Sequence, residues 1–146
     1  MLVYLDSSVL ARAYLPDEVD HKLAVELLTG TEPLVTSSWT VVEVTSALVR
    51  AARGHRVDDL QPVLDLLAAD VGEDGPVTLL RPDTAAAEQR ATELVRAHPL
   101  RSLDALHLAV AELAAVPLLD EGTCLGFASR DDAQRAAAET LGFAPR

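Results

Sequence analysis

Four short apolar runs punctuate this chain: Leu2–Leu5, Pro33–Thr36, Val77–Leu80 and Leu125–Ala128. Runs this short have strand length, and the stretches between them carry helical spacing. Strands that alternate with helices predict a parallel sheet, because each parallel neighbour needs a long crossover, and the crossovers cover both faces of the sheet. The expected architecture is therefore an α/β fold with three layers, α/β/α, around a central, mostly parallel sheet. Its 146 residues suit one domain spanning 1–146. The intervening helices are expected over Val9–Tyr14, from Asp17 or Glu18 to about Leu28, over Trp39–Arg53 with Ser37 or Ser38 as cap, and over Val57–Val71. Others run from an Asp83 or Thr84 cap to about Ala97, over Leu100–Leu113, and over Asp131–Leu141. Pro62 lies too deep for a helix that begins at Val57, so that start is expected to shift or the helix to kink. Gly142–Ala144 reads as a last short strand.

The helix Leu100–Leu113 is apolar almost all round, which predicts burial. Asp104 lies in it near its start. A buried carboxylate is costly without a partner, so what Asp104 faces becomes the central question. Ser102 is the expected cap, and the first turn tolerates an acid in any case.

Ligands of open α/β sheets bind beyond the carboxyl ends of the strands. Asp6 follows the first run directly and Asp131 follows the last. Glu43 and Asp104 lie near the starts of helices that face the same edge. Each has an ordinary alternative: Asp6 and Asp131 as helix-start acids, Glu43 as a solvated side chain paired with an arginine. Converging, the four would repel one another, and a hard divalent cation resolves that repulsion. Asp132 stands beside Asp131 as the alternative fourth acid.

Composition narrows the classes. With 12 basic and 23 acidic residues the net charge is −11, which opposes general attraction to nucleic acid or to anionic membranes. An acidic metal pocket is compatible with it, since bound cations reverse the local sign. Cys124 is the single cysteine, which leaves no internal disulfide and no cysteine-based zinc cluster. No apolar run reaches membrane-spanning length and the start lacks a signal peptide's basic flank, so a cytoplasmic protein is expected. A phosphorylated receiver domain needs a lysine near its last strand, but Lys22 is the only lysine. A phosphatase with a DxD motif lacks its second acid in Asp6-Ser7-Ser8.

Taken in order, these motifs resemble those of the PIN-domain ribonucleases, and in particular the VapC toxins of bacterial toxin–antitoxin pairs. The shared features are Tyr4-Leu5-Asp6-Ser7-Ser8, Glu43 within Val41–Val44, Leu103-Asp104-Ala105-Leu106-His107-Leu108-Ala109, and Phe127–Asp131 before an alanine-rich helix. The resemblance implies a metal-dependent endoribonuclease with Asp6, Glu43, Asp104 and Asp131 as its acidic pocket. Asp6 and Asp104 would bind Mg²⁺, with Mn²⁺ as substitute, and Glu43 and Asp131 would complete the pocket directly or through water. Ser8 and Ser129 would orient carboxylates or water, and Arg101 and Arg130 are candidates for RNA phosphates. His107 is read as a structural hydrogen-bonding histidine. The resemblance also implies a homodimer and a VapB-like antitoxin, with Val9–Leu15 and Val19–Leu28 as candidate surfaces. A small PIN nuclease of RNA processing, or a non-catalytic PIN-like binding module, is the alternative.

Overall fold

In the computed structural model, which describes residues 1–146, five strands form one wholly parallel sheet. They are β1 (Leu2–Leu5), β2 (Leu34–Ser37), β3 (Val77–Leu80), β4 (Leu125–Ala128) and the two-residue β5 (Ala144–Pro145), in the spatial order β3-β2-β1-β4-β5. The expected last strand thus falls at Ala144–Pro145 rather than Gly142–Ala144. The chain builds outward from β1 on one side, then returns to build on the other. The crevice between β1 and β4 is the point where that direction reverses, and β1 pairs with β4 along its whole length, Leu2 with Leu125 through Leu5 with Ala128.

Seven α-helices connect the strands: α1 (Ser7–Leu10), α2 (His21–Thr29), α3 (Ser38–Arg53), α4 (Leu60–Asp70), α5 (Thr84–Ala97), α6 (Ser102–Val110) and α7 (Asp132–Thr140). A 3-10 turn, Ala11–Tyr14, extends α1. A wide π-type turn over Ala111–Ala115 and a 3-10 turn over Val116–Leu118 extend α6. The twofold alternation of strand side chains separates two cores. Val3, Leu5, Leu34 and Val77 point to the side of α1–α4, where Val44, Leu48 and Leu67 pack on them. Tyr4, Val35, Leu80 and Phe127 point to the side of α5–α7, against Leu94, Leu108 and Ala137. No helix is long and apolar enough to cross a membrane.

Several helix starts differ from expectation for local reasons. Helix α4 begins at Leu60 under the Asp59 cap, which places Pro62 in its first turn, where a missing N–H costs nothing. Asp17 and Glu18 do not open α2. They hold Arg56 at 2.6 Å each, and α2 begins only after Asp20, which adopts a left-handed conformation (φ 66°). Ser102 does not cap α6 either: it is the first helical residue, and Arg101 occupies the cap position without a side-chain bond. Helix α6 is also less enclosed than its composition suggests. Leu103 is 44% exposed, whereas His107 and Leu108 are buried.

Candidate active site

Asp6 is the first residue beyond β1. Its carboxylate Oδ2 accepts the Ser8 N–H at 3.1 Å, so it caps α1, and it is buried, with 3% exposed. The equivalent point beyond β4 is the segment Ser129-Arg130-Asp131. Two bonds tie these ends together: Asp6 N–H donates to Ala128 O at 3.0 Å, and Arg130 N–H donates to the Ser8 hydroxyl at 2.9 Å. The crevice between β1 and β4 therefore has a fixed floor with an acid on each side.

Asp131 caps α7, accepting the Gln134 N–H on Oδ1 at 2.9 Å. The Ser129 hydroxyl accepts the Asp131 N–H at 3.0 Å, donates to Gln134 Oε1 at 2.5 Å and lies 3.4 Å from Asp6 Oδ2. Gln134 is wholly buried, and its Nε2 donates to the Asp104 backbone carbonyl at 3.2 Å. This glutamine links the end of β4 to the first turn of α6, and so sets where Asp104 sits relative to Asp131.

Asp104 is half-buried in that first turn. Its carboxyl is raised above the ordinary carboxylate range, first by burial, then by the nearby charges of Asp131 and Asp6. Acids from three chain segments thus share one electrostatic environment, which the charge of His107 offsets only in part. No group of three His, Cys, Asp or Glu side chains stands ready-made as a metal cage. The acids ring the crevice rather than close on a point, and two of them use an oxygen for capping.

Glu43 comes from the opposite helical layer. It lies on α3, which packs on the α1–α4 side, yet its Oε2 meets His107 Nε2 at 2.5 Å across the carboxyl edge of the sheet. The expected alternative partner, an arginine, is not engaged: Arg50 instead donates to Ser46. A carboxylate can only accept, so Nε2 carries the hydrogen, and Nδ1 is then free to accept from the Tyr4 hydroxyl at 3.0 Å. Burial pushes Tyr4 up, which keeps its phenol protonated. Burial alone would lower His107, but the Glu43 hydrogen bond and the charges of Asp6, Glu43 and Asp104 outweigh it, and the net direction is up. Asp6 Oδ1 lies 3.6 Å from the same Nε2. His107 therefore joins Glu43 to the side of the pocket that Asp6 occupies.

Of the remaining expected residues, neither arginine brings its guanidinium to these acids, whereas Ser8 touches Asp6. Arg101 is exposed at the start of α6. Arg130 turns from the acids to Asp20, 3.2 Å away. Ser8 acts through its backbone N–H on Asp6 and its hydroxyl on Arg130. Sequence reading named His107 as a hydrogen-bonding histidine, which holds, but missed Gln134 and the two partners of His107, Tyr4 and Glu43. Gln134 had a detectable signal, since it is the third residue of a helix capped by Asp131, where a glutamine recurs in capping boxes. The histidine chain had none. Tyr4 is 103 positions from His107 and Glu43 is 64, so the three meet only through the fold.

The crowding of negative charge has a measurable consequence. A carboxyl whose folded pKa is raised favours the native state below its unfolded pKa, and that contribution is lost as pH rises through the folded value. Asp104→Asn removes the repulsion at neutral pH. The metal-free variant should melt about 1–3 °C above the wild type near pH 7, the figure being kept small because Asp104 is partly solvated. The difference should vanish at a pH well below the ordinary carboxylate range. Thermal unfolding in chelator across pH measures it, and an equal or lower melting point for the variant near pH 7 would contradict the repulsion.

Both the sequence and the fold match known proteins. The PIN domain family model matches residues 3–139. Two curated relatives, Ribonuclease VapC45 and Ribonuclease VapC49 from two strains of Mycobacterium tuberculosis, are each 36% identical over 118 residues, covering 75% of this chain and 74% of theirs. Among solved structures, M. tuberculosis VapC20, described as a sarcin-ricin loop cleaving toxin, superposes with a TM-score of 0.66 at 19% identity over 92% of this chain and 94% of that one. VapBC2 from Rickettsia felis, bound to a promoter DNA fragment, gives 0.63 at 13% identity over 100% and 98%. At these identities the two structures establish the shared fold.

Proposed function

Because the chain belongs to the PIN-domain family and, within it, to the VapC proteins, we propose that it is a metal-dependent endoribonuclease, the toxin of a type II toxin–antitoxin pair acting in the cytoplasm. The observation that carries this reading is the acidic crevice. Asp6, Asp104 and Asp131 border it from three chain segments, and the charges of Asp131 and Asp6 help to raise Asp104, with Glu43 held at the same edge by His107.

The donor set fits a hard divalent cation such as Mg²⁺ or Mn²⁺: all-oxygen, anionic, and open enough to leave room for water, which Mg²⁺ retains in most of its protein sites. When bound, such a cation supplies a water of lowered pKa and positive charge beside the scissile phosphate. Asp6 and Asp104 hold it, and Asp6 Oδ1 and Asp131 Oδ2 are the oxygens not already used in capping. His107 orients Glu43, leaving its second oxygen to direct a water. Ser129 and Gln134 fix the spacing of Asp131 and Asp104, so the pocket does not close by collapse when its charges are neutralised.

The partners in this reading are RNA, a VapB-like antitoxin and a second copy of the chain. Of the two segments proposed as surfaces, Val9–Leu15 is mainly core: Val9, Leu10, Tyr14 and Leu15 are all buried. The second retains Val19 and Leu23, 75% and 54% exposed, and these are the apolar positions that support a partner surface there.

Purified protein, free of antitoxin, should cut a broad RNA pool in Mg²⁺ or Mn²⁺ and stop cutting in chelator. Asp104→Asn should slow cleavage by about 100-fold or more, the order of a lost contribution of several kcal/mol to transition-state charge stabilisation. No cleavage by the wild type, or equal cleavage by the variant, would refute the mechanism.

A further inference from the structure

Two cavities meet in the cleft between α1 and α3. One, of about 440 Å³, opens at the acidic site and includes Ser7, Glu43 and Leu103 in its lining. The other, of about 290 Å³, continues the cleft away from the site to Arg12 and Arg56. Both are bordered by Ser8, Ala11, Ala47 and Arg50, so they adjoin along one cleft. Its floor is open because the facing residues of both helices are small: Ser8 and Ala11 on one side, Ser46 and Ala47 on the other.

Charge is distributed unevenly along it. Three of the chain's 12 basic residues line this one cleft, in a protein whose net charge is −11. Arg56 is neutralised by Asp17 and Glu18. Arg12 donates to two backbone carbonyls, Ser8 O at 2.6 Å and Val19 O at 2.9 Å, and has no carboxylate partner. Arg50 makes a single bond, from Nη1 to the Ser46 hydroxyl at 2.7 Å. The rest of its guanidinium fork is available, and it stands at the junction of the two cavities. Arg50 is seven residues beyond Glu43 on α3, about two turns or roughly 10 Å along the axis, on the same helix face. A phosphodiester strand with one phosphate at the acids would be repelled by most of this surface. Along this cleft it meets the guanidinium groups of Arg12 and Arg50, neither paired with a carboxylate, while Glu18 of the lining is held by Arg56, and a planar guanidinium suits a phosphate better than any other side chain does.

Resting on the nuclease reading above, we propose that the α1–α3 cleft carries the RNA strand on one side of the scissile bond, and that Arg50 binds a neighbouring phosphate there. Arg50 is a substrate-positioning residue and takes no part in the chemical step.

The test uses the full-length chain carrying Asp104→Asn, a fluorescent RNA oligonucleotide that the wild type cleaves, and binding measured in Mg²⁺ at salt concentrations from about 50 to 200 mM. Adding Arg50→Gln should weaken binding about 3- to 10-fold and reduce the magnitude of the log–log salt slope by about 0.7, the loss of one single-strand phosphate contact. Arg50→Lys should keep the slope. Arg96→Gln, on α5 and outside the cleft, should change neither quantity. In the active protein, Arg50→Gln should raise KM with kcat nearly unchanged, the pattern of lost uniform binding. Unaltered melting points would show that the variants fold. If the wild type cleaves RNA and Arg50→Gln binds it like Arg96→Gln, the cleft proposal alone is overturned. It is overturned as well if Arg50→Gln weakens capture of the antitoxin but not of RNA, since the cleft then belongs to the protein partner. If the wild type neither cuts nor binds RNA, the nuclease reading fails and takes this one with it.

Discussion

Asp6→Asn should lower the rate of RNA cleavage in Mg²⁺ by about 1,000-fold while leaving the metal-free protein folded, its melting temperature within about 1–3 °C of the wild type. The separation of the two effects rests on what Asp6 does in the fold. Its Oδ2 caps α1 by accepting the Ser8 N–H, and asparagine is as good a cap as aspartate. The variant therefore keeps the helix start and the bonds from Asp6 N–H to Ala128 and from Arg130 N–H to Ser8 that join the ends of β1 and β4. What it loses is the charge on Oδ1, the oxygen left free by capping. Losing about 4 kcal/mol of transition-state stabilisation corresponds to that factor. Single-turnover cleavage and calorimetry on the same preparations measure both halves. A variant that unfolds would show Asp6 to be chiefly structural. A variant that is stable and fully active would remove it from the site.

Phe127→Ala should cost about 3–5 kcal/mol of stability, a large share of the 5–15 kcal/mol typical of a whole domain. Phe127 is 1% exposed. It stacks on Tyr4 with ring centroids 5.2 Å apart and 3° between planes, and on its other side meets Phe143 at 6.2 Å and 17°. Truncation leaves a void in the centre of the sheet between two rings that cannot both collapse into it. The midpoint in urea should fall strongly with little change in slope, and the melting temperature should drop by about 10 °C. Phe127→Leu should recover most of the loss. A shift of less than about 1 kcal/mol for the alanine variant would contradict the packing. The substitution also reaches the site, because Tyr4 bears on Phe127 with its ring and on His107 with its hydroxyl.

The layer architecture was legible because it is written in local patterns. Short, mostly apolar runs mark the first four strands, and the alternation of Val3 and Leu5 with Tyr4 assigns each to one core. The acids after β1 and β4 were legible for the same reason: chain order and strand ends fix their edge. Elements decided by distant partners were harder. Asp17 and Glu18 look like a helix start, but Arg56, far along the chain, binds both and delays α2. Val9–Leu15 and Val19–Leu28 are both apolar, and periodicity does not distinguish the first, which is core, from the second, which keeps an exposed valine and leucine. Glu43 was hardest to place. Its helix pattern points it away from Val44 and Leu48, and His107, which meets it, lies 64 positions along the chain on α6.

The position of β1 in the centre of the sheet bears on when the protein can become active during its own synthesis. Asp6 is made well before its neighbour strand β4 and the Ser129–Asp131 segment, Ser129 lying 123 positions after it. Pairing over that separation is slow compared with local helix formation, and domains emerge from the ribosome from the N-terminus. A nascent chain with β1, β2 and β3 already joined still exposes one bare edge of β1 and has half a pocket. The acidic edge assembles only once β4 and the segment beyond it have been released, so a product truncated before β4 contains Asp6 and Glu43 without the Ser129–Asp131 side of the crevice.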